Sequence, residues 1–521
     1  MALGTFVLGD AALALLLWTS VLCHPYPFCA WLFTSATYIA SLSSSIFIYR
    51  AYLHPLANVR GPFLARLSKL WAVAVTVEGR NHATIAELHA KYGDFIRIGP
   101  NEVSMSNVAA IHAIYGPRST LLILLRSPRY KGVPRPANSE SLMSFRDHTQ
   151  HAQRHKVWDR AFTTSALKDY NPLLTHRVQQ LSDRLTSESL RGAVDVGKWF
   201  SACSFDIMGD LAFDGAFELV ENGDVGGYWQ TLNEAIRIGA IFINLPWMAA
   251  KMPFLPLASK KAKLENFAER QVRGRLEKVA HSKDLSYWLV RGDSPSEAVL
   301  VIIAGSDSTT LVSFFLFFFL AQHPAAVARL RQEFQDTHNK YGELTIENLS
   351  DLPYLNACIN ESLRLYPPVP NGHPRRAPEG GATVAEQFIP EGTTVIIPAY
   401  TIQRDPKYWC DPNAFRPERW LPEGVTAGRK DDFRAFIPFS YGPYACIGRN
   451  LARQEIRLLV ATVISRFDFE LVEGFDPQEF EKQITGEFLL TRPALPMILH
   501  ERAQGKHAWR FMKLFLIEYA V

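Results

Sequence analysis

The chain has 521 residues, 48% of them hydrophobic, so it can bury a large core; its formal net charge of +4, with no polybasic block, argues against nucleic-acid binding. Its six cysteines, Cys23, Cys29, Cys203, Cys358, Cys410 and Cys446, are scattered without a CxxC pair, which argues against a disulfide scaffold and a zinc site alike. A reducing, cytosol-facing globule fits best.

Phe28 to Tyr49 is free of charge, rich in aromatic and aliphatic residues, and long enough to cross a hydrocarbon core of about 30 Å as a helix. Ala11 to Cys23 is also apolar, but it is short and Asp10 blocks its extension. It either pairs with the longer segment in a hairpin or lies in the interface, so one span and two both fit. No Lys or Arg precedes either segment, which disfavours a cleaved signal peptide, whereas Arg50, Arg60, Arg66 and Lys69 follow closely. Residues 1–50 are therefore expected to anchor the chain in a membrane and leave the body in the cytosol. From Tyr52-Leu53-His54-Pro55-Leu56 through Gly61-Pro62 the chain reads as a linker, residues 51–62, because proline removes backbone donors and disfavours helix just before it.

Helical periodicity dominates the chain beyond the linker. Asn81 to Tyr92, Thr149 to Phe162, Ser259 to Ala280, Ala325 to Tyr341 and Asn356 to Tyr366 repeat apolar residues at three- and four-residue steps. Phe95 to Gly99, Glu102 to Met105, Thr394 to Pro398 and Phe467 to Leu471 look like short strands between turn residues. The expected fold is a single domain, residues 63–500, mainly α with a small β portion, followed by a tail of unknown role at 501–521. Ala298 to Ala321 has Asp307 as its only charge and would pass for a transmembrane helix. Within an otherwise ordinary globular sequence it is expected in the core, where apolar residues all round the cylinder mean burial on every side. Its centre, Ala304-Gly305-Ser306-Asp307-Ser308-Thr309, leaves room for a ligand, and an acid beside hydroxyls can relay protons.

The segment Phe439-Ser440-Tyr441-Gly442-Pro443-Tyr444-Ala445-Cys446-Ile447-Gly448 frames one cysteine as a metal ligand. A cysteine sulfur binds iron as the anion, and the run from Arg449-Asn450-Leu451 reads as a helix whose positive N-terminal end would lie beside it. Gly442 and Gly448 let the backbone turn tightly and approach a flat ligand, while Phe439 covers the sulfur against water. This pattern resembles the proximal loop of the cytochrome P450 family, the haem-thiolate monooxygenases. The resemblance covers roughly Leu53 to His500 and is to fungal microsomal members.

The resemblance implies the cytochrome P450 fold with an N-terminal transmembrane anchor, haem b with Cys446 as axial iron ligand, and electrons from NADPH through a cytochrome P450 reductase. Asp307 and Ser308 match the acid and the alcohol, most often threonine in the family, that supply protons during oxygen activation, and Thr309 adds a hydroxyl. Glu361 and Arg364 share one helix face and can pair; in the family Arg419 joins them in a buried network behind the haem. His148, His151 and His155 also share a face, as a metal site would, but no carboxylate stands among them in the H-E-x-x-H manner. By the resemblance, His151 and His155 occupy the places of an aromatic residue and an arginine that reach a haem propionate, and Tyr444 replaces a further basic residue. Arg375 matches a third propionate position, with Arg154 as another substitute. Ala304, Val369 and Leu489 are the expected substrate contacts. Arg449, Arg453 and Arg457 form a stripe that an acidic reductase surface would find attractive.

The function implied is insertion of one oxygen atom from dioxygen into a small apolar substrate, in secondary metabolism, at the endoplasmic reticulum membrane with membrane lipid around the anchor. A haem-thiolate isomerase or dehydratase that needs no reductase is the nearest alternative. A polytopic transporter, resting on the three long apolar stretches, is the alternative from another class. Two irregularities stand out: Asp284 to Glu297 is shorter than the family places before the Asp307 helix, and Glu501 to Val521 has no counterpart.

Overall fold

The computed structural model describes residues 27–116, 125–126, 141–145, 147–213, 215, 217–245, 247–248, 270–271, 273–274, 285–289, 295–424, 430–486 and 488–502. The apolar segment Ala11 to Cys23, most of the helix expected at Ser259 to Ala280 and nearly all of the tail lie outside the described residues. The helices that build or carry the site are, in order, α1 (Pro27–Ile48), α2 (Asn81–Tyr92), α3 (His148–Ala161), α4 (Thr164–Ser189), α5 (Val196–Phe213), α6 (Pro295–Ile302), α7 (Ser308–Gln322), α8 (Pro324–Tyr341), α9 (Pro353–Leu365) and α10 (Arg449–Arg466). Strands are short: β1 (Phe95–Gly99), β2 (Glu102–Met105), β3 (Leu125–Arg126), β4 (Val194–Asp195), β5 (Arg375–Arg376), β6 (Ala382–Val384), β7 (Gln387–Ile389), β8 (Thr394–Ile396), β9 (Phe467–Leu471) and β10 (Pro496–Glu501).

Two helices are long and apolar enough to cross a membrane, and burial separates them. The one at 28–53 is 0% buried, whereas the one at 300–322 is 72% buried. In α7 every residue from 309 to 320 is buried, because aromatic partners meet it on several sides. Phe315 stacks on Tyr366 at 4.2 Å, Phe318 on Phe480 at 4.6 Å and Phe319 on Phe415 at 4.8 Å. Each such ring contributes on the order of 1.5–3 kcal/mol when removed from water. The apolar run is thus the centre of a globular core, and the transporter reading falls with it.

The 26-residue helix α4 is not predicted by periodicity: Pro172 lies inside it, and its sequence is polar. Thr163 starts it by accepting a hydrogen bond from the Ala166 amide at 3.2 Å. Beside the helical body, five strands pair in the order β1-β2-β8-β5-β3, with β2 and β8 parallel and the other pairs antiparallel. A three-stranded sheet has the order β4-β10-β9, and β6 and β7 form a hairpin. The linker segment is held against this structure: the Arg97 amide donates to the Arg60 carbonyl at 2.7 Å, and Leu56 is buried.

Candidate active site

The Cys446 segment is tightly shaped before α10 begins. Ser440 and Gly442 have φ of 60° and 70°, and a Cβ on Gly442 would lie 2.0 Å from the Tyr115 carbonyl oxygen, so only glycine fits there. A short turn of helix, Gly442–Tyr444, then returns the chain, and the Cys446 amide donates to the Phe439 carbonyl at 2.9 Å. Gly448 behaves differently from expectation. Its φ is −79°, open to any residue, and a Cβ there would stand 4.0 Å from the Cys446 sulfur. What glycine supplies at 448 is bare space beside the sulfur, not a special turn.

The sulfur is surrounded by protein yet accessible from an internal cavity. Burial pushes the Cys446 thiol above its usual value; hydrogen bonds from the Gly448 and Arg449 amides and the Arg449 charge act in the opposite direction but do not overcome it. The helix end therefore softens the cost of a thiolate without removing it, leaving the remainder to a cation at the sulfur.

That cavity has a volume of about 390 Å³ and an apolar lining. Cys446, Phe439, Gly448 and Tyr444 lie on its wall together with Ala304, Ser308 and Thr309. Val369 and Leu489 also line it, so the three expected substrate contacts share one space with the cysteine. Between α6 and α7 the helix widens into a π turn, Ile303–Asp307, and Gly305 lets it lie on α5: a Cβ there would be 2.1 Å from Met208 Sδ. The hydroxyls turn back on the helix. Ser308 donates to the Ala304 carbonyl at 2.6 Å and Thr309 to the Gly305 carbonyl at 2.9 Å. Their lone pairs remain available to accept.

Asp307 is not on the cavity wall. Its buried carboxylate faces Arg492, with Oδ1 3.5 Å from Nη1, beyond good hydrogen-bond geometry. Arg492 also donates to the Ser201 hydroxyl. Burial pushes the Asp307 carboxyl up, and Arg492 offsets only part of that. Nothing in the sequence pointed to Arg492, because the strand-end loop that carries it is remote from α7 along the chain.

At the cavity's edge the buried Arg375 guanidinium lies 4.8 Å above the Tyr444 ring and 5.1 Å above that of Tyr115, and it makes no ion pair among the described residues. His151 is buried, 4.3 Å from Tyr444. His155 lines the cavity with Nδ1 3.1 Å from Asp159. Arg154 is spoken for: it donates to Glu297 at 2.7 Å, which removes it as a substitute anion-binding group. No cluster of three metal-ligating side chains occurs among the described residues.

Behind the cysteine segment, Glu361 receives Arg364 at 2.8 and 3.0 Å, Arg419 at 3.0 Å, the Trp420 indole N–H at 2.9 Å and the Arg416 amide at 3.0 Å. All three charged members expected of the network are fully buried. Asp431, not anticipated, gives Arg419 a second carboxylate at 2.7 Å. The arginine stripe fares differently: Arg453 donates to Asn360 and Arg457 to Asn356, each at 2.9 Å, so two of its three members pack against α9 and only Arg449 is exposed. A smaller cavity of about 70 Å³ adjoins the main one through Val369 and Phe488, and Asn371 faces it with both amide atoms buried and unpartnered.

A family profile described as cytochrome P450 matches residues 62–285 and 293–499. The chain belongs to the cytochrome P450 family. The match breaks between 285 and 293, within Asp284 to Glu297, and ends before the tail. Cytochrome P450 monooxygenase FCK2 of Fusarium pseudograminearum is 31% identical over 485 residues, covering 90% of this chain and 86% of that protein. Tryprostatin B 6-hydroxylase of Aspergillus fumigatus is 33% identical over 482 residues, 90% and 84% of the two chains. Cytochrome P450 monooxygenase nodW of Hypoxylon pulicicidum is 34% identical over 478 residues, 89% and 87%. As a P450 monooxygenase, the protein requires haem, dioxygen, an organic substrate and electrons from a redox partner. The residues present fit a haem: a thiol open to an apolar cavity, a bare glycine beside it, and a buried arginine at the edge with no carboxylate partner among the described residues.

Proposed function

We propose that the chain is a membrane-anchored monooxygenase that holds haem b through Cys446 and inserts one oxygen atom into a small apolar substrate of secondary metabolism. The observation that carries this reading is that the Cys446 sulfur and the Ala304–Thr309 segment line the same apolar cavity. Bound there, the haem would supply one-electron reduction and oxygen activation, with the thiolate ligand favouring O–O cleavage. Phe439, on the same wall, would shield the sulfur from water, and the Gly448 and Arg449 amides favour its negative charge. Arg375, assisted by Tyr444 and His155, would meet the propionates.

Ser308 and Thr309 line the cavity while donating to their own helix carbonyls, so each offers lone pairs that can accept a hydrogen bond there, and each would hand on a proton by rotating its hydroxyl away from the helix carbonyl. Asp307, whose carboxyl burial pushes up while Arg492 offsets part of that, is the nearby acid that would restore the proton. Ala304, Val369 and Leu489 shape the apolar substrate space. The relatives named as tryprostatin B 6-hydroxylases support hydroxylation as the outcome, with the substrate of this chain a different question. NADPH-cytochrome P450 reductase is the proposed electron donor. The exposed apolar helix α1 supports an anchor in the endoplasmic reticulum membrane, with the catalytic domain on the cytosolic side.

The test is the absorption of the reduced protein with carbon monoxide. Wild type is expected to show the red-shifted Soret band of thiolate-ligated haem, and Cys446→Ser to lose both that band and turnover. Retention of both by the variant would end this reading.

A further inference from the structure

Where α1 ends, three arginines meet without an acid among the described residues. Arg50 lies in the turn Tyr49–Leu53 and donates to the Leu67 carbonyl at 2.5 Å. Arg66, on the short helix Phe63–Leu67, donates to the Ala57 carbonyl at 3.4 Å. Arg97, fully buried on β1, donates to the carbonyls of Arg50 at 3.0 Å, Leu56 at 3.4 Å and Pro100 at 2.7 Å. None of the three forms an ion pair among the described residues, and the Nε groups of Arg66 and Arg97 are buried without a partner. Lys69 differs, being paired with Glu102.

The charges act on one another. Burial, then Arg66 and Arg50, lower Arg97 to about 10, and burial with Arg97 and Arg50 lowers His54 to about 4. An uncompensated positive field is costly to maintain, and carbonyl partners do not neutralise it. The surroundings say where an anion would come from. Phe63 packs edge-on to Phe47 of α1 at 5.9 Å, which sets the short helix beside the end of the membrane segment. Tyr52, Leu53, Phe63 and Leu64 are 66%, 53%, 47% and 65% exposed, so the arginines are flanked by uncovered apolar side chains. With α1 in a bilayer, that combination would set them at the level where lipid phosphates meet the acyl region.

We propose that Arg50 and Arg66, backed by the buried charge of Arg97, form a binding site for the headgroup phosphate of an acidic phospholipid, which locks the anchor to the catalytic domain. The proposal rests on α1 being a membrane anchor. Arg97 tethers the turn after α1 to β1, and the lipid would complete the joint by neutralising the two arginines at its face.

The test uses the full-length haemoprotein in phosphatidylcholine vesicles carrying spin-labelled phosphatidylserine or spin-labelled phosphatidylcholine, and reads the ratio of their association with the protein. Wild type is expected to prefer phosphatidylserine, and Arg50→Gln and Arg66→Gln each to lower that preference about five-fold, the equivalent of roughly 1 kcal/mol per basic side chain at the surface. Arg66→Lys should keep most of it, and Arg191→Gln, at an exposed site elsewhere, all of it. The carbon monoxide spectrum checks that each variant is folded. Equal preference in wild type and both Gln variants would overturn the site. Displacement of the labelled lipid by inorganic phosphate as effectively as by unlabelled phosphatidylserine would overturn the lipid in favour of a plain phosphate site. Failure of wild type to enter phosphatidylcholine vesicles would instead remove the anchor, and the proposal with it; insertion without lipid preference leaves the anchor standing and sinks the site alone.

Discussion

Ser204 on α5 donates its hydroxyl to Glu455 Oε1 on α10 at 2.5 Å, and both side chains are buried. Glu455 has no cationic partner among the described residues, so burial pushes its carboxyl from the ordinary 4.5 up to about 8, against a smaller opposing effect of Ser204. The folded state then holds this proton more tightly than the unfolded state. Stability should fall as pH rises through the interval between those two values, at up to about 1.4 kcal/mol per pH unit from this group. Glu455→Gln removes the titration and is expected to flatten the dependence of thermal midpoint on pH there. An identical slope in the variant would show that Glu455 is already ionised in the folded protein.

Glu361 organises more of the structure than a helix-surface pair would. Replacing it by alanine strips Arg364 of its only described carboxylate, whereas Arg419 keeps Asp431 at 2.7 Å. The expected loss is on the order of 3–5 kcal/mol, the cost of breaking a buried charge pair. Asp431→Asn, which leaves Glu361 bridging both arginines, should cost less. Thermal unfolding and haem content of the two variants decide it: equal, small effects would mean that the backbone carbonyls at Gln403, Pro412 and Ala414 alone satisfy Arg364.

The Glu455 and Glu361 contacts also mark how far the sequence could be read. Spacing placed Glu361 and Arg364 on one face, and four positions around Cys446 identified the loop, because turn chemistry and helix periodicity are local. Strands β1, β2 and β9 and helix α2 fall on the residues their patterns predicted for the same reason. Partners brought from afar left no such trace. Arg492 reaches Asp307, Asp431 reaches Arg419, Glu297 takes Arg154 and Ser204 meets Glu455 through packing that no short window encodes. Periodicity also failed where proline interrupts it, at Pro172 in α4, since tertiary contacts there override a local penalty.

Asp307 and Ser308 differ in position, so their variants should fail differently. Ser308 lines the cavity and Asp307 lies behind it against Arg492. Ser308→Ala removes a hydroxyl from the cavity wall and is expected to divert electrons into peroxide, with NADPH consumption largely kept. Asp307→Asn removes the acid and should slow turnover by roughly 10²-fold, the lower range for loss of a general acid. Product, NADPH and peroxide are measured together. Product formed undiminished without any reductase would point to an isomerase or dehydratase.

Gly442 and Gly448 flank Cys446, one on each side, yet their alanine variants should part company. At Gly442 the φ of 70° and a Cβ 2.0 Å from the Tyr115 carbonyl oxygen combine strain of about 1–2 kcal/mol with a backbone clash, so Gly442→Ala is expected to lower the thermal midpoint and to lose haem. At Gly448 the φ is −79° and the nearest atoms to a new Cβ, at 3.8 Å in Phe162 and 4.0 Å at the Cys446 sulfur, are at ordinary contact distance. Gly448→Ala should therefore fold with a thermal midpoint near that of wild type, while its methyl group occupies the bare face beside the sulfur. The consequence belongs to the haem: a shifted carbon monoxide band or a weaker haem affinity in an otherwise sound protein. If both variants unfold alike, the space at Gly448 is structural; if only the spectrum of Gly448→Ala changes, that space is kept open for the ligand of Cys446.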